Sequence, residues 1–289
     1  MKKITIVSGK GGTGKTIVTG ALVATASLSR RIITVDCDVD APDLHLILRP
    51  QVVKRFEFKG RAKVQIEADD CNRCGKCREV CRFEAINENF VIDQISCEGC
   101  LFCYHICPVG AVRTTDHRSG EYFISTTKYG PMVHAQLGVA EENSGRLVTV
   151  VRKEAEEIAR AKRFDYIIAD GPPGIGCPAI AAIGGVDLAL VVTEPTITAI
   201  HDLKRVLTLI RHFGIRAAVV INKYDLDQKN GKEIEEFCER ENIEVMSRIP
   251  FDPVFPRSIV EGRPAVELST TNGIAEIFKS LWWLIEQRL

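Results

Sequence analysis

Gly9-Lys10-Gly11-Gly12-Thr13-Gly14-Lys15-Thr16 packs four glycines and two lysines into eight positions. It directly follows the apolar, β-branched run Ile4-Thr5-Ile6-Val7. The pattern G-x-x-x-x-G-K-[ST] between a strand and a helix wraps backbone N–H groups around phosphates and aims a helix N-terminus at them. Lys15 to Arg30 continues with small and apolar residues at helical spacing, and Ile32-Ile33-Thr34-Val35 then ends on Asp36. Strand, loop, helix, strand is the start of a doubly wound, mostly parallel α/β sheet. Within it, Gly9 to Thr16 are the candidate phosphate ligands. Lys15 would reach the β- and γ-phosphates, and the Thr16 hydroxyl would bind Mg²⁺. A glycine-rich turn without a ligand is the competing reading, and the flanking strand and helix argue against it.

The same alternation returns late in the chain. Tyr166-Ile167-Ile168-Ala169 precedes Asp170, Leu188 to Val192 precedes Thr193, and Ala217 to Ile221 precedes Asn222. Helical patterns at Ala199 to Phe213 and Gly231 to Asn242 separate them, and Ile274 to Leu289 reads as a closing helix. Between the halves, from about Gly60 to Thr115, the composition changes to a cysteine-rich stretch without a long helix. The expected organisation is a discontinuous P-loop NTPase domain, residues 1–59 and 116–289, with a small α+β module of residues 60–115 inserted.

That module contains a repeat. Cys71, Cys74, Cys77 and Cys81 recur 26 residues later as Cys97, Cys100, Cys103 and Cys107. Each run has the C-x₂-C-x₂-C-x₃-C spacing of bacterial two-cluster ferredoxins, in which the fourth cysteine serves the other cluster. The expectation is two 4Fe–4S clusters, one on Cys71, Cys74, Cys77 and Cys107, the other on Cys97, Cys100, Cys103 and Cys81. A zinc site fits less well, because it takes four ligands from paired C-x₂-C groups. Cys37, Cys177 and Cys238 read as buried or interface thiols.

Lys10, the extra lysine in the phosphate loop, makes this segment resemble the deviant Walker ATPases of the MinD, ParA and nitrogenase iron-protein group. In that family a signature lysine reaches the partner's phosphates across a nucleotide-sandwich dimer. Asp36-Cys37-Asp38-Val39-Asp40-Ala41-Pro42-Asp43 resembles the family's switch I. By that resemblance Asp38 orients the attacking water, and Lys10, Lys15 and Asp38 form the catalytic set. Asp43 departs from the asparagine of MinD relatives, which leaves its role open. Asp170-Gly171-Pro172-Pro173-Gly174 resembles Walker B and switch II, with Asp170 near Mg²⁺. Asn222-Lys223-Tyr224-Asp225 and Ile249-Pro250-Phe251-Asp252 resemble the adenine-side loops, placing Asn222 and Pro250 at the base. Glu121 to Gly145 also resembles MinD-superfamily proteins that carry an inserted ferredoxin domain.

Composition limits the functions this resemblance leaves open. Lysine plus arginine and aspartate plus glutamate both count 38 in 289 residues, a net charge of zero that gives no footprint for nucleic acid. No apolar run approaches the roughly 20 residues that span a bilayer. Trp282-Trp283 lies in a segment with both charge signs rather than the basic face of a membrane-surface helix. The expectation is therefore a cytoplasmic ATPase using ATP and Mg²⁺, homodimeric through an ATP sandwich, without nucleic-acid or membrane partners. The leading functional expectation couples nucleotide state to electron transfer in metal-cofactor or cluster assembly, with a redox or cluster-receiving client. A cluster or metal carrier with ATP-timed release is the alternative. A division- or partition-type positioning ATPase ranks third, and a cobyrinate-type amidoligase lacks a recognisable glutaminase domain.

Overall fold

The computed structural model describes residues 1–138, 141, 143–268 and 273–289. Part of the Glu121 to Gly145 segment, residues 139, 140 and 142, lies outside the described residues. The strands are β1 Lys2–Ser8, β2 Ile32–Asp36, β3 Gln51–Lys59, β4 Lys63–Ile66, β5 Val112–Thr115 and β6 Arg118–Thr127. They continue with β7 Gly130–Leu137, β8 Tyr166–Pro173, β9 Leu188–Thr193, β10 Ala217–Asn222 and β11 Glu244–Ile249. Nine form one sheet in the order β11-β10-β9-β1-β8-β2-β7-β6-β3. The pairs from β11 through to β7 are all parallel. The doubly wound α/β expectation is met.

Period-two alternation explains why these runs are apolar on both faces. Ile4, Ile6, Leu188, Leu190, Val192, Ala218 and Val220 point into one core layer, with the helices Lys15–Ala26 and Ile274–Arg288. Val7, Ala189, Val191, Val219 and Ile221 point into the other, against the helices Ile197–His212 and Gln228–Arg240. The closing helix buries Ile274, Phe278, Leu281 and Ile285, a stripe at helical spacing. Trp282 is buried edge-on to Tyr166 at 4.9 Å between ring centroids, while Trp283 stays exposed. Among the described residues no helix is long and apolar enough to cross a membrane.

The parallel order brings the C-terminal ends of β1, β2 and β8 side by side, with Asp36 directly opposite Asp170 in the register. Ligands of open α/β sheets sit at such strand ends. The first helix ends at Ala26, sooner than the expected Arg30, and Leu28 beyond it is 81% exposed.

The chain divides into two compact units, the larger being 1–56, 122–136 and 144–289, and the smaller 57–121 with 137–143. The smaller unit pairs β4 and β5 antiparallel and holds two short helices, Lys76–Glu79 and Phe102–Ile106. Val64, Ala85, Ile86, Ile92 and Val112 share its core with Cys77, Cys97 and Cys103. The 26-residue repeat is written into its backbone. Positive φ occurs at Arg73 and Gly99, at Gly75 and Leu101, and at Glu84 and Gly110.

In the larger unit, His134 of β7 meets the Ser125 hydroxyl at 2.9 Å and stacks on Phe123. Burial lowers its pKa to about 4. A histidine held neutral binds fewer protons folded than unfolded, so its contribution is present above about 6.5 and lost as pH falls towards 4. Denaturant unfolding at pH 7 and at pH 4.5 should show this loss in the wild type, on the order of 2 kcal/mol. The loss should be reduced by that amount in His134→Gln, and an unchanged difference would contradict the assignment.

Candidate functional site

The phosphate loop leaves β1 at Ser8 and enters the helix at Lys15. A Cβ on Gly9 would sit 2.5 Å from Cβ of Asp202, so the loop passes directly over the helix Ile197–His212. Gly12 and Gly14 adopt φ of +81° and +86°, the left-handed region that glycine enters without a Cβ penalty. Gly11 and Gly12 face open space, leaving their backbone approachable. The helix that follows has no side-chain cap, so its first N–H groups lack a side-chain partner. Ser8, Gly11 to Ile17, Asp38, Asp43 and Pro173 help line a cavity of about 410 Å³ in front of the loop. The Thr13 hydroxyl is buried without a partner.

Lys15, 6% exposed, fixes the chemistry of this cavity. Its ammonium lies 3.0 Å from Asp170 and 3.8 Å from Asp38, and Asp170 also accepts from the Thr16 and Thr19 hydroxyls, each at 2.7 Å. Burial alone would lower the pKa of the lysine, but Asp170 and Asp38 outweigh it and hold the pKa above the ordinary value. Asp36, fully buried, accepts from the backbone N–H of Asp38 at 3.0 Å and of Leu44 at 3.3 Å. Desolvation and the neighbouring Asp170 push its carboxyl well above the usual range. Asp38 is raised to about 6, chiefly by burial. Asp170 and Asp38 therefore hold the ammonium, with the Asp36 carboxyl buried beside them. That donor set, with the Thr16 hydroxyl beside it, suits a divalent cation bound with phosphate.

Asn222 and Pro250 do not line the cavity. The Asn222 amide donates to the Thr13 carbonyl at 2.7 Å, its own carbonyl oxygen stays buried and unpartnered, and Lys223 donates to the Gly12 carbonyl at 3.0 Å. Pro250 follows Ile249, whose carbonyl accepts from the Tyr224 N–H at 3.1 Å. The Asn222-Lys223 loop thus grips the phosphate loop itself, and the Ile249 carbonyl ties the second loop to Tyr224. Lys10 also stays out of the cavity lining and pairs with Glu194 at 2.9 Å.

Residues 4–265 match the model of the CobQ/CobB/MinD/ParA nucleotide binding domain. The chain belongs to that family. An uncharacterised protein of Methanocaldococcus jannaschii is 35% identical over 97% of this chain and 95% of its own length. A septum site-determining protein MinD of Bacillus subtilis is 26% identical over 72% of this chain and 58% of its own. Among solved structures, MinD of Pyrococcus horikoshii complexed with Mg-ADP superposes with a TM-score of 0.62 at 20% identity. It covers 99% of this chain and 96% of that one. The MinC:MinD complex of Aquifex aeolicus gives 0.62 at 19%, with the same coverage of both chains. At such identities the structures establish the fold, a P-loop α/β domain.

These findings correct the iron–sulfur expectation. Cys71, Cys74, Cys77 and Cys107 border one recess of the smaller unit, and Cys97, Cys100 and Cys81 lie near enough to Cys103 to act on its charge. Yet among the described residues no three His, Cys, Asp or Glu side chains form a group that could hold a metal ion. Burial holds the Cys77 thiol above its ordinary pKa and raises that of Cys103 to about 11. The Bacillus relative and the two solved structures carry septum-site or cell-division MinD names. The two 4Fe–4S clusters, the ferredoxin assignment of residues 60–115, electron transfer and a redox client are withdrawn on those grounds.

Sequence reading also missed residues that the fold brings to the site. Thr19 stands one helical turn after Lys15, a signal available from spacing. Asp36 ends a buried strand beside Asp38, whereas Glu194 and Lys223 come from strand ends that only the sheet order places near Gly9 to Thr16.

Two substitutions test the geometry. Lys15→Ala should weaken ATP binding at least about 100-fold, about 2.7 kcal/mol, by calorimetry, and undiminished affinity would refute its placement at the phosphates. Gly14→Ala would put a Cβ 2.3 Å from the Asn222 amide at positive φ, so thermal unfolding should show a loss of about 2 kcal/mol.

Proposed function

We propose that the protein is a nucleotide-switched ATPase of the MinD/ParA positioning kind, which binds ATP with Mg²⁺, pairs as a homodimer and holds a protein partner while the triphosphate is intact. The observation that carries this reading is the buried Lys15 ammonium between Asp38 and Asp170, at the back of a glycine cradle with an unpartnered Thr13 hydroxyl. Residues 1–59 and 116–289 make up the ATPase domain in this reading, with 60–115 inserted.

Gly9 to Thr16 wrap the phosphates, and Lys15 turns from its carboxylates towards the β- and γ-phosphates. Thr16, Asp38 and Asp170 hold the Mg²⁺, which supplies charge neutralisation at the phosphates. Asp38 orients the water that attacks the γ-phosphorus, while Asp36 fixes the backbone of Asp38 and Leu44. Lys10 serves the triphosphate from across the dimer. Asn222 and Pro250 flank the base. Pro173, at the cavity wall and the end of β8, places switch II where the γ-phosphate would be sensed.

The relatives named septum site-determining MinD support positioning over the alternatives. The Aquifex complex with MinC offers a precedent for a protein partner.

Asp38→Ala should keep ATP affinity within a few-fold while hydrolysis falls by about 100-fold or more. Calorimetry paired with a phosphate-release assay reads both, and full hydrolysis in the variant would remove Asp38 from the role. Light scattering should report a dimer with Mg-ATP in this variant and a monomer with ADP. A monomer in both states would overturn the dimer.

A further inference from the structure

Lys10 is the one lysine of the loop that does not face the cavity, and its partners explain why. Its ammonium lies 2.9 Å from one oxygen of Glu194 and within 3.2 Å and 3.0 Å of the Thr196 and Thr198 hydroxyls. The other oxygen of Glu194 holds Lys223 at 2.8 Å, and Lys223 also donates to the Gly12 carbonyl at 3.0 Å. Glu194 is only 12% exposed. Burial would raise its carboxyl, but the two lysines prevail and keep it below the ordinary range. Thr196 is itself fixed as the N-cap of the helix Ile197–His212, accepting from the Ala199 N–H.

We infer that Glu194 is a latch that parks Lys10 away from the nucleotide and must be displaced by triphosphate before Lys10 can act. The inference rests on the reading above, in which Lys10 serves a triphosphate. An ammonium shared between a carboxylate and a phosphate site is a competition between two anions, so the strength of the Glu194 contact sets how much nucleotide is needed to recruit Lys10. The geometry makes release inexpensive. A mostly buried carboxylate stripped of its only cation would bear the full desolvation penalty. Lys223 stays on the second oxygen of Glu194, so that charge remains paired after Lys10 departs. Lys223 belongs to the loop that also carries Asn222, which ties the latch to the base side of the site. Glu194 is thus a positioning residue for Lys10, acting without touching nucleotide.

The test replaces the charge and keeps the shape. In Glu194→Gln, dimerisation driven by Mg²⁺ and a non-hydrolysable ATP analogue, followed by light scattering, should reach its midpoint at several-fold lower analogue concentration than in the wild type. An unchanged or raised midpoint would overturn the latch. Competitive acetylation of the nucleotide-free protein, read by mass spectrometry, decides the point without a dimer. Lys10 should be modified several-fold faster in Glu194→Gln than in the wild type, and equal rates would overturn the latch. A wild type that binds the analogue yet stays monomeric would defeat the dimer reading alone, and the acetylation rates would still decide the latch.

Discussion

A buried ammonium held by Asp170 and Asp38 organises the larger unit. Lys15 binds the start of a helix to the end of β8 through Asp170 and to the loop after β2 through Asp38, while Asp36 pins that loop by its backbone. None of these charges is tolerable alone at such burial, because each would lack water and a partner. Together they require that β1, β2 and β8 end at the same level, as the parallel register provides. A cation arriving with phosphate would favour the ionised forms of these acids, which burial otherwise disfavours.

A second layer of contacts joins the phosphate loop to the rest of the strand ends. Asn222 and Lys223 take the carbonyls of Thr13 and Gly12, and Gly9 rests on the helix bearing Asp202. Backbone carbonyls of the loop are thus occupied by side chains while its N–H groups are left for a ligand. That division of labour suits an anion site, since carbonyls facing the cavity would repel phosphate.

The central fold was legible from residues because buried parallel strands are short β-branched runs, as at Ile32 to Val35 and Leu188 to Val192. The cavity-lining residues Gly11 to Thr16 and Asp38, and Asp170 that pairs with Lys15, were legible for the same reason, each following such a run. The strand β3, with most of its side chains exposed, and the neighbouring β6 and β7 escaped notice, since half-exposed strands lack a continuous apolar signature. Glu194 and Lys223 were illegible because their partners lie 184 and 211 positions away in the chain. The cysteine spacing misled in a different manner. It reports local loop geometry, which recurs in both half-units, but not which ligand, if any, the thiols meet.

The repeated backbone of the smaller unit has an uneven distribution of strain. Arg73, Gly75 and Glu84 follow the same left-handed path as Gly99, Leu101 and Gly110, yet the first half carries one glycine at these positions and the second carries two. A side chain in that region costs about 1 kcal/mol or more. The two half-units therefore share a shape at unequal backbone expense, the larger share falling on the half that contains Arg73 and Glu84.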